Sequence, residues 1–169
     1  GDKAAITRLY DDPYFRAAPT KIPAGRIELT VPGAPPFVAA DLDLRGATAT
    51  MRWADGTTLQ ALLHARKPLG LLRLSTPAVG LGVTLPAVQL LAPDFAPTAP
   101  AAAGAAGDSD LVTAPEELQA LGYGRAHCSS GENWQAFSQH GYGDFHFAVH
   151  VAWKHSRGQW LAAWSVASS

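Results

Sequence analysis

The sequence predicts an all-β protein, a two-sheet antiparallel β-sandwich. Apolar and polar side chains alternate with a period of two along much of the chain, which is the pattern of half-buried strands. Turn signals rich in glycine, proline and aspartate separate these runs at the spacing of short strands. The 169 residues are enough for one domain with a sizeable core, and 47% hydrophobic against 16% charged residues excludes a disordered chain.

Alternating runs in the first half of the chain predict a series of short strands. They cover residues 26–31, 38–45, 48–53, 58–65 and 71–75. Asp55-Gly56 is a strong hairpin signal between two of these runs, and residues 67–70 (KPLG) predict a turn before the last one. Leu62 interrupts the polar side of its run, which predicts that both faces of that strand are partly covered.

The middle of the chain changes in composition. Residues 79–91 are rich in valine and leucine and predict one or two strands. Residues 92–110 consist largely of alanine, proline and glycine, which have little to bury, so they predict a flexible, exposed connection. Residues 113–121 predict one helical turn capped by Thr113, and residues 1–22 an N-terminal arm of the same single domain.

The last third of the chain gives the most specific structural prediction, a hairpin. Residues 145–154 and 159–166 both alternate, and a two-residue turn at Arg157-Gly158 joins them. The opposed pairs are then Trp153 with Ala162, Val151 with Trp164, and His150 with Ser165. Because directly opposed residues share a face, this register gathers the large apolar side chains on one side of the sheet.

Composition and motifs also exclude several classes of function. A net charge of −1 argues against binding of nucleic acid or of a membrane surface. Cys128 is the only cysteine, so an internal disulfide is impossible, and no zinc-binding spacing of cysteine and histidine is present. The chain carries no P-loop, no dinucleotide-binding glycine motif and no nucleophile elbow. We therefore expect no cofactor and no metal.

Histidines cluster near the C-terminus, but their spacing does not favour a metal site. On a strand, His146 and His150 lie about 13 Å apart, which is too far for two ligands of one ion. A site formed by His127 and His140 stays open as an alternative. Cys128 beside His127 is interpreted as a structural thiol rather than a nucleophile, because adjacent residues of an extended chain point to opposite faces.

Two pairs of acidic residues are candidates for acid–base chemistry. Asp41 and Asp43 share one face of a predicted strand at roughly 6–7 Å, close to the separation of paired glycosidase carboxylates. Glu132 and Asp144 form the second pair considered. A solvated acidic face explains Asp41 and Asp43 without catalysis, and this is the interpretation that the apolar set on the opposite face favours.

Aromatic and amide side chains near polar turns form the candidate carbohydrate-contact site. Its members are Trp134, Gln135, Gln139, His140, Tyr142 and Asp144. The apolar face of a sugar stacks on an aromatic ring, and its hydroxyl groups take hydrogen bonds from amides and carboxylates. Residues 129–133 (SSGEN), just before this set, predict a polar loop. The competing interpretation is that Trp134 belongs to the core and that the polar groups serve turns.

The order of several segments resembles the N-terminal domain of bacterial glycoside hydrolases similar to the family 95 α-L-fucosidase group. The segments are residues 23–29 (PAGRIEL), 40–45 (ADLDLR), 53–57 (WADGT), 64–70 (HARKPLG), 134–135 (WQ), 148–153 (AVHVAW) and 161–165 (LAAWS). The resemblance spans roughly residues 20–166 and consists of strand and turn patterns rather than a catalytic signature. The Gly-Asn-Gly turn of the family 95 opening is not present, so fucose specificity is not implied.

The resemblance implies a supersandwich-like domain that is followed, in such enzymes, by an (α/α)6 barrel with the catalytic acid and base. That barrel is not among these residues, so the expected role is non-catalytic, namely support of a catalytic domain or separate subunit, and contact with carbohydrate. Trp134 and Gln135 are the candidates for contact at the rim of the barrel. An extracellular or periplasmic location is implied by the resemblance alone. A stand-alone carbohydrate-binding module and an independent glycosidase using a carboxylate pair are the alternatives.

Overall fold

The computed structural model describes residues 2–6, 8–9, 23–77, 85–93, 118–119, 121–156 and 158–169. This part of the chain contains one short helix, α1 (Lys3–Ile6), and ten strands. The strands are β1 (Arg26–Thr30), β2 (Phe37–Asp43), β3 (Thr48–Trp53), β4 (Thr58–Leu63), β5 (Leu69–Ser75), β6 (Ala87–Leu91), β7 (His127–Gly131), β8 (Trp134–His140), β9 (His146–Ser156) and β10 (Gln159–Ser168).

The described strands form two antiparallel sheets of unequal size. The large sheet has eight strands in the order β2-β3-β4-β5-β10-β9-β8-β7, and the small sheet consists of β1 and β6. Every strand pair is antiparallel. The all-β sandwich predicted from the sequence is confirmed.

The small sheet covers only part of one face of the large sheet, which we call the inner face. Two clusters of buried side chains fill the space between the sheets. One consists of Ala92, Phe137, Phe147 and Val149, with Leu90 of β6 packed against it. The other consists of Leu74, Trp160 and Ala162, with Leu29 of β1 and Val88 of β6 against it. The opposite face of the large sheet, the outer face, has no described strand over it.

The predicted hairpins agree with the structure. In β9 and β10, Trp153 lies opposite Ala162, Val151 opposite Trp164, and His150 opposite Ser165, as the alternation predicted. At the earlier hairpin, Gly56 has a φ of 85°, and the amide of Trp53 donates to the carbonyl of Thr57 at 3.0 Å. Asp55 accepts hydrogen bonds from the amide and the hydroxyl of Thr57, both at 2.8 Å, which fixes this turn.

The prediction of a polar loop at residues 129–133 is wrong. Ser129, Ser130 and Gly131 belong to β7, and only Glu132 and Asn133 form the turn into β8. All residues of β7 are exposed, because this strand lies at the edge of the large sheet, and it therefore lacks the apolar alternation that marks a half-buried strand. The predicted turn at residues 67–70 is shorter than expected, since β5 already begins at Leu69.

Several predictions fall wholly or largely outside the described residues. They are most of the arm at 1–22, the first part of the strand region at 79–91, nearly all of the connection at 92–110 and most of the helical turn at 113–121. Within the last of these, Leu118 and Gln119 are helical, and the amide of Tyr123 donates to the carbonyl of Leu118 at 2.9 Å. The later part of 79–91 contains β6.

Candidate functional site

The six predicted sugar-contact residues do not form one site, because β8 separates them. Trp134 begins this strand and His140 ends it, and six steps of about 3.3 Å place them roughly 20 Å apart. Tyr142 and Asp144 lie in the turn after His140. An aromatic platform that combines Trp134 with these turn residues is therefore excluded by the length of the strand.

Gln135 lies on the inner face, opposite Val151, and its side chain binds the small sheet. The amide of Leu90 donates to Gln135 Oε1 at 2.7 Å, and Gln135 Nε2 donates to the carbonyl of Val88 at 3.0 Å. Both polar atoms of the side chain are thus used by the backbone of β6. Gln135 has a structural role in this arrangement, and a sugar on the outer face does not reach its side chain.

Gln139 also points to the inner face, where it is 2% exposed. Its Nε2 donates to the carbonyl of Gly124 at 2.9 Å, while its Oε1 has no hydrogen-bond partner among the described residues. The side chain holds residue 124, just before β7, against β8. Like Gln135, it does not contribute to a surface that a sugar contacts from outside.

Trp134, in contrast, lies on the outer face and keeps 37% of its surface exposed. Its ring stacks on the imidazole of His150, with centroids 5.7 Å apart and an interplanar angle of 19°. Gly131 lies directly opposite on β7, and a Cβ atom there would clash with the indole, so the glycine leaves room for the ring. The interpretation of Trp134 as a core residue is not supported by this placement.

Trp134 belongs to a row of residues that runs in register across seven strands of the outer face. From β3 to β7 the row consists of Thr48, Leu62, Leu71, Ala163, Ala152, Trp134 and Gly131. We call it the outer-face row. Leu62 and Leu71 are exposed at one end, the two alanines form a low floor in the middle, and the stacked rings stand at the other end.

A groove of about 690 Å³ follows the leucine and alanine part of this row, and we call it the outer-face groove. Its polar lining comes mainly from the neighbouring register positions Gln60, Arg73 and Lys154. The guanidinium Nε of Arg73 donates to Gln60 Oε1 at 2.9 Å, which orders both side chains. The groove therefore combines an apolar floor with hydrogen-bond donors and positive charge along one side.

The histidines pair in a way that sequence reasoning did not find. His140 lies directly opposite His146, and their ring centroids are 4.6 Å apart in an edge-to-face arrangement. His127 instead lies opposite Ser138. His140 and His146 flank the five-residue turn that joins β8 to β9, and residues on either side of a short hairpin turn face each other. The sequence analysis missed this pair because it did not predict β8. Among the residues that the structure describes, no group of three or more histidine, cysteine, aspartate or glutamate residues is arranged to hold a metal ion.

The two acidic pairs differ in their arrangement, since Asp41 and Asp43 share the outer side of β2, whereas Glu132 and Asp144 lie at opposite ends of β8. Asp41 forms an ion pair with Arg52 on the exposed edge of the large sheet, and Asp43 Oδ1 accepts a hydrogen bond from the amide of Arg45 at 3.0 Å. Glu132 and Asp144 precede and follow β8, so the length of that strand, about 20 Å, separates them. This separation is far beyond the 5–10 Å of paired glycosidase carboxylates.

Cys128 and His127 point to opposite faces of β7, as the sequence predicted, since Cys128 lies opposite Phe137 and His127 opposite Ser138. They therefore do not form a nucleophile–base pair. No helix in the described part of the chain is long and apolar enough to cross a membrane. A comparison with models of known protein families finds no match, and neither does a comparison with curated proteins.

Proposed function

We propose that this chain is a non-catalytic β-sandwich domain of a carbohydrate-active enzyme and that its outer-face groove contacts a sugar chain. The observation that carries this proposal is the outer-face row, which places the stacked pair Trp134–His150 in line with the groove. The resemblance of the sequence to N-terminal domains of glycoside hydrolases supports the same class of enzyme.

The chemistry of the groove fits a chain of sugar rings better than a compact polar ligand. One ring stacks on the exposed indole of Trp134, which has a flat apolar surface of matching size. The following rings lie over Ala152 and Ala163, whose small side chains leave space above the sheet. Arg73 and Lys154 are donors for hydroxyl or carboxylate oxygens along the same line. The positive charge favours a ligand that includes acidic sugars.

A supporting role for the domain rests on a different part of the surface. Large apolar side chains are exposed along β2 and the turn after it, namely Phe37, Val38, Leu42 and Leu44. Large apolar side chains that stay exposed along one edge of a sheet are typical of a site that another protein or domain covers. We propose that a catalytic domain or subunit covers this edge, which would bring its active site next to a sugar chain held in the groove.

The sugar-contact proposal is tested by replacing Trp134 with alanine. We expect a panel of neutral and acidic oligosaccharides, screened on an array and measured by isothermal titration calorimetry, to include ligands of the wild-type chain. Trp134→Ala should weaken their binding about tenfold or more, because it removes the stacking surface. Tyr142→Ala is the matched control, since Tyr142 is a comparably exposed aromatic residue (38% against 37%) that lies outside the row.

Three results would count against the proposal. They are the absence of binding across the whole panel, unchanged binding by Trp134→Ala, and an equal loss in Tyr142→Ala.

A stand-alone carbohydrate-binding module would use the same groove, and the intact mass of the native protein distinguishes this alternative from a domain of a larger enzyme. A mass well above that of 169 residues supports the enzyme domain, and a mass equal to it supports the module. Turnover of aryl glycosides by this chain alone would instead support the independent glycosidase.

A further inference from the structure

His140 and His146 lie directly opposite each other at the turn end of the hairpin β8–β9. Their backbone hydrogen bonds point away from each other. The carbonyl of His140 accepts from the amide of Gly124 at 2.9 Å, whereas His146 exchanges hydrogen bonds of 3.3 and 3.0 Å with Ser169, just after β10. The two histidines are therefore a non-hydrogen-bonded pair, the type in which opposed residues are closest, with Cα atoms about 4.5 Å apart.

Both imidazole rings stand on the outer face of the large sheet. The neighbouring residues Gln139 and Phe147 are buried on the inner face, and successive side chains of a strand point to opposite faces. The ring centroids are 4.6 Å apart, and the ring planes meet at 69°. His146 is exposed and His140 is half-buried, so an ion in solution reaches both rings.

The turn that joins the two strands fixes the pair in this position. The amide of Gly141 donates to the carbonyl of Phe145 at 2.7 Å, and the amide of Phe145 donates to the carbonyl of Tyr142 at 3.4 Å. Gly143 has a φ of 66°, which suits glycine. The ring of Phe145 also stacks on Phe147, with centroids 6.0 Å apart. Because the backbone on both sides of the pair is held, a ligand of the two rings has little ordering to impose.

Two imidazoles at this separation are suited to hold one metal ion. Bonds of about 2.0–2.1 Å from zinc to nitrogen place two ligand nitrogens within roughly 4 Å of each other. Rings whose centroids are 4.6 Å apart reach this distance by rotation about their side-chain bonds. Imidazole is a preferred ligand of zinc, copper and nickel, whereas calcium and magnesium prefer oxygen ligands.

The other histidines of the outer face are further away. His127 lies opposite Ser138, two residues before His140, so it is a diagonal neighbour of His140 at roughly 7–8 Å. His150 lies four residues after His146, about 13 Å along β9. Among the described residues, the pair therefore supplies two ligands. The remaining positions around a tetrahedral ion are open to water or to an oxygen or nitrogen atom of a bound molecule.

We propose that His140 and His146 bind one divalent transition-metal ion of the zinc, copper or nickel class at the turn end of β8–β9. The spacing of residues along the sequence does not indicate this site, because its ligands come from two strands. It lies six residues, about 20 Å, along β8 from Trp134. The proposal is therefore independent of sugar contact at the outer-face groove.

Isothermal titration calorimetry with zinc chloride, on a chain without a polyhistidine tag, tests the proposal. We expect saturable binding that His146→Ala weakens about tenfold or more, because the variant removes one of two ligands. His127→Ala is the matched control, since His127 is another exposed histidine of the outer face, and it should leave the affinity unchanged. Far-ultraviolet circular dichroism checks that both variants keep the fold.

A second arm uses the wild-type chain and does not depend on how a variant folds. In proton–nitrogen NMR spectra of the imidazole rings, zinc should shift the signals of His140 and His146 with a common midpoint and leave those of His127 and His150 in place. A shift of only one ring of the pair, unchanged affinity in His146→Ala, or an equal loss in His127→Ala would overturn the proposal. Absence of binding at millimolar zinc would also overturn it and would leave the pair as a cross-strand ring contact that stabilises the hairpin.

Discussion

The side chain of Gln135 makes the kind of backbone hydrogen bonds to β6 that a neighbouring strand would otherwise make. Its amide accepts from the backbone of Leu90 and donates to the backbone of Val88, as a neighbouring strand would do. A glutamine is suited to this position because one side chain carries both a donor and an acceptor. Loss of the side chain would leave an amide and a carbonyl of β6 without these partners in a partly buried place.

We expect Gln135→Leu to lower the free energy of unfolding by about 1–3 kcal/mol, since two backbone groups lose their hydrogen bonds and gain no replacement. Urea denaturation followed by far-ultraviolet circular dichroism measures this change. Gln60→Leu is the control, because Gln60 bonds the exposed side chain of Arg73 and its loss should cost clearly less. Equal costs for the two variants would show that Gln135 does not fasten the small sheet.

The sequence analysis assigned the amides of Gln135 and Gln139 to sugar contact, whereas both side chains bind the backbone inside the sandwich. The residue types were informative, since amides amid apolar residues need partners. Which face they occupied depended on the register of β8, and this strand had been missed. The sequence analysis gave two interpretations of Trp134, one as a surface residue that contacts sugar and one as a core residue. Its pairing with Gly131 of β7, which leaves room for the indole on the outer face, supports the surface interpretation. A single sequence does not contain that pairing.

At the scale of elements, the strands whose sequences alternate in polarity were predicted, whereas β7 and β8, whose sequences do not alternate, were not. The register of the hairpin β9–β10 was predicted correctly, because its large apolar side chains alternate and its short turn fixes the pairing. The sequence of strand β7 is HCSSG, in which apolar and polar residues do not alternate. Strand β7 is held by its pairing with β8 rather than by burial of its own side chains, so a pattern of hydrophobicity does not reveal it.

Strand β2 is the other edge of the large sheet, and its apolar side chains are exposed beside two aspartates. Asp41 and Asp43 lie on its outer side, and a register shift between Phe37 and Ala39 interrupts its pairing with β3. Charges and bulges at an edge are devices that oppose pairing with a second chain. We therefore interpret these carboxylates as protection of this edge when the proposed partner domain does not cover it.

The double variant Asp41→Val, Asp43→Val tests this role. We expect its free energy of unfolding to change by less than about 1 kcal/mol, because exposed ion pairs contribute little. Its tendency to aggregate should rise strongly, which light scattering at increasing protein concentration measures. Thr50→Val is the control, since Thr50 lies opposite Asp41 on an internal strand and its replacement adds a similar side chain without removing an edge charge. Equal aggregation of both variants would contradict the interpretation.

At the scale of the molecule, the strands of the described residues are distributed unequally, with two in the small sheet and eight in the large sheet. The large sheet has a centre, β10 and β9, whose strands pair on both edges and whose side chains Val151 and Trp160 are almost fully buried. Among the described strands, β1 and β6 pair only with each other, and Gln135 and the two apolar clusters attach them to the large sheet. An isolated pair of strands is marginally stable in water, so these attachments determine its stability.

This asymmetry predicts two levels of stability that hydrogen exchange can separate. We expect the amides of β1 and β6 to exchange faster than the central amides of β9 and β10, because the small sheet detaches without unfolding of the large one. Gln135→Leu should accelerate exchange in β1 and β6 alone. Equal exchange in both sheets, unaffected by the variant, would mean instead that the two sheets unfold as one cooperative unit.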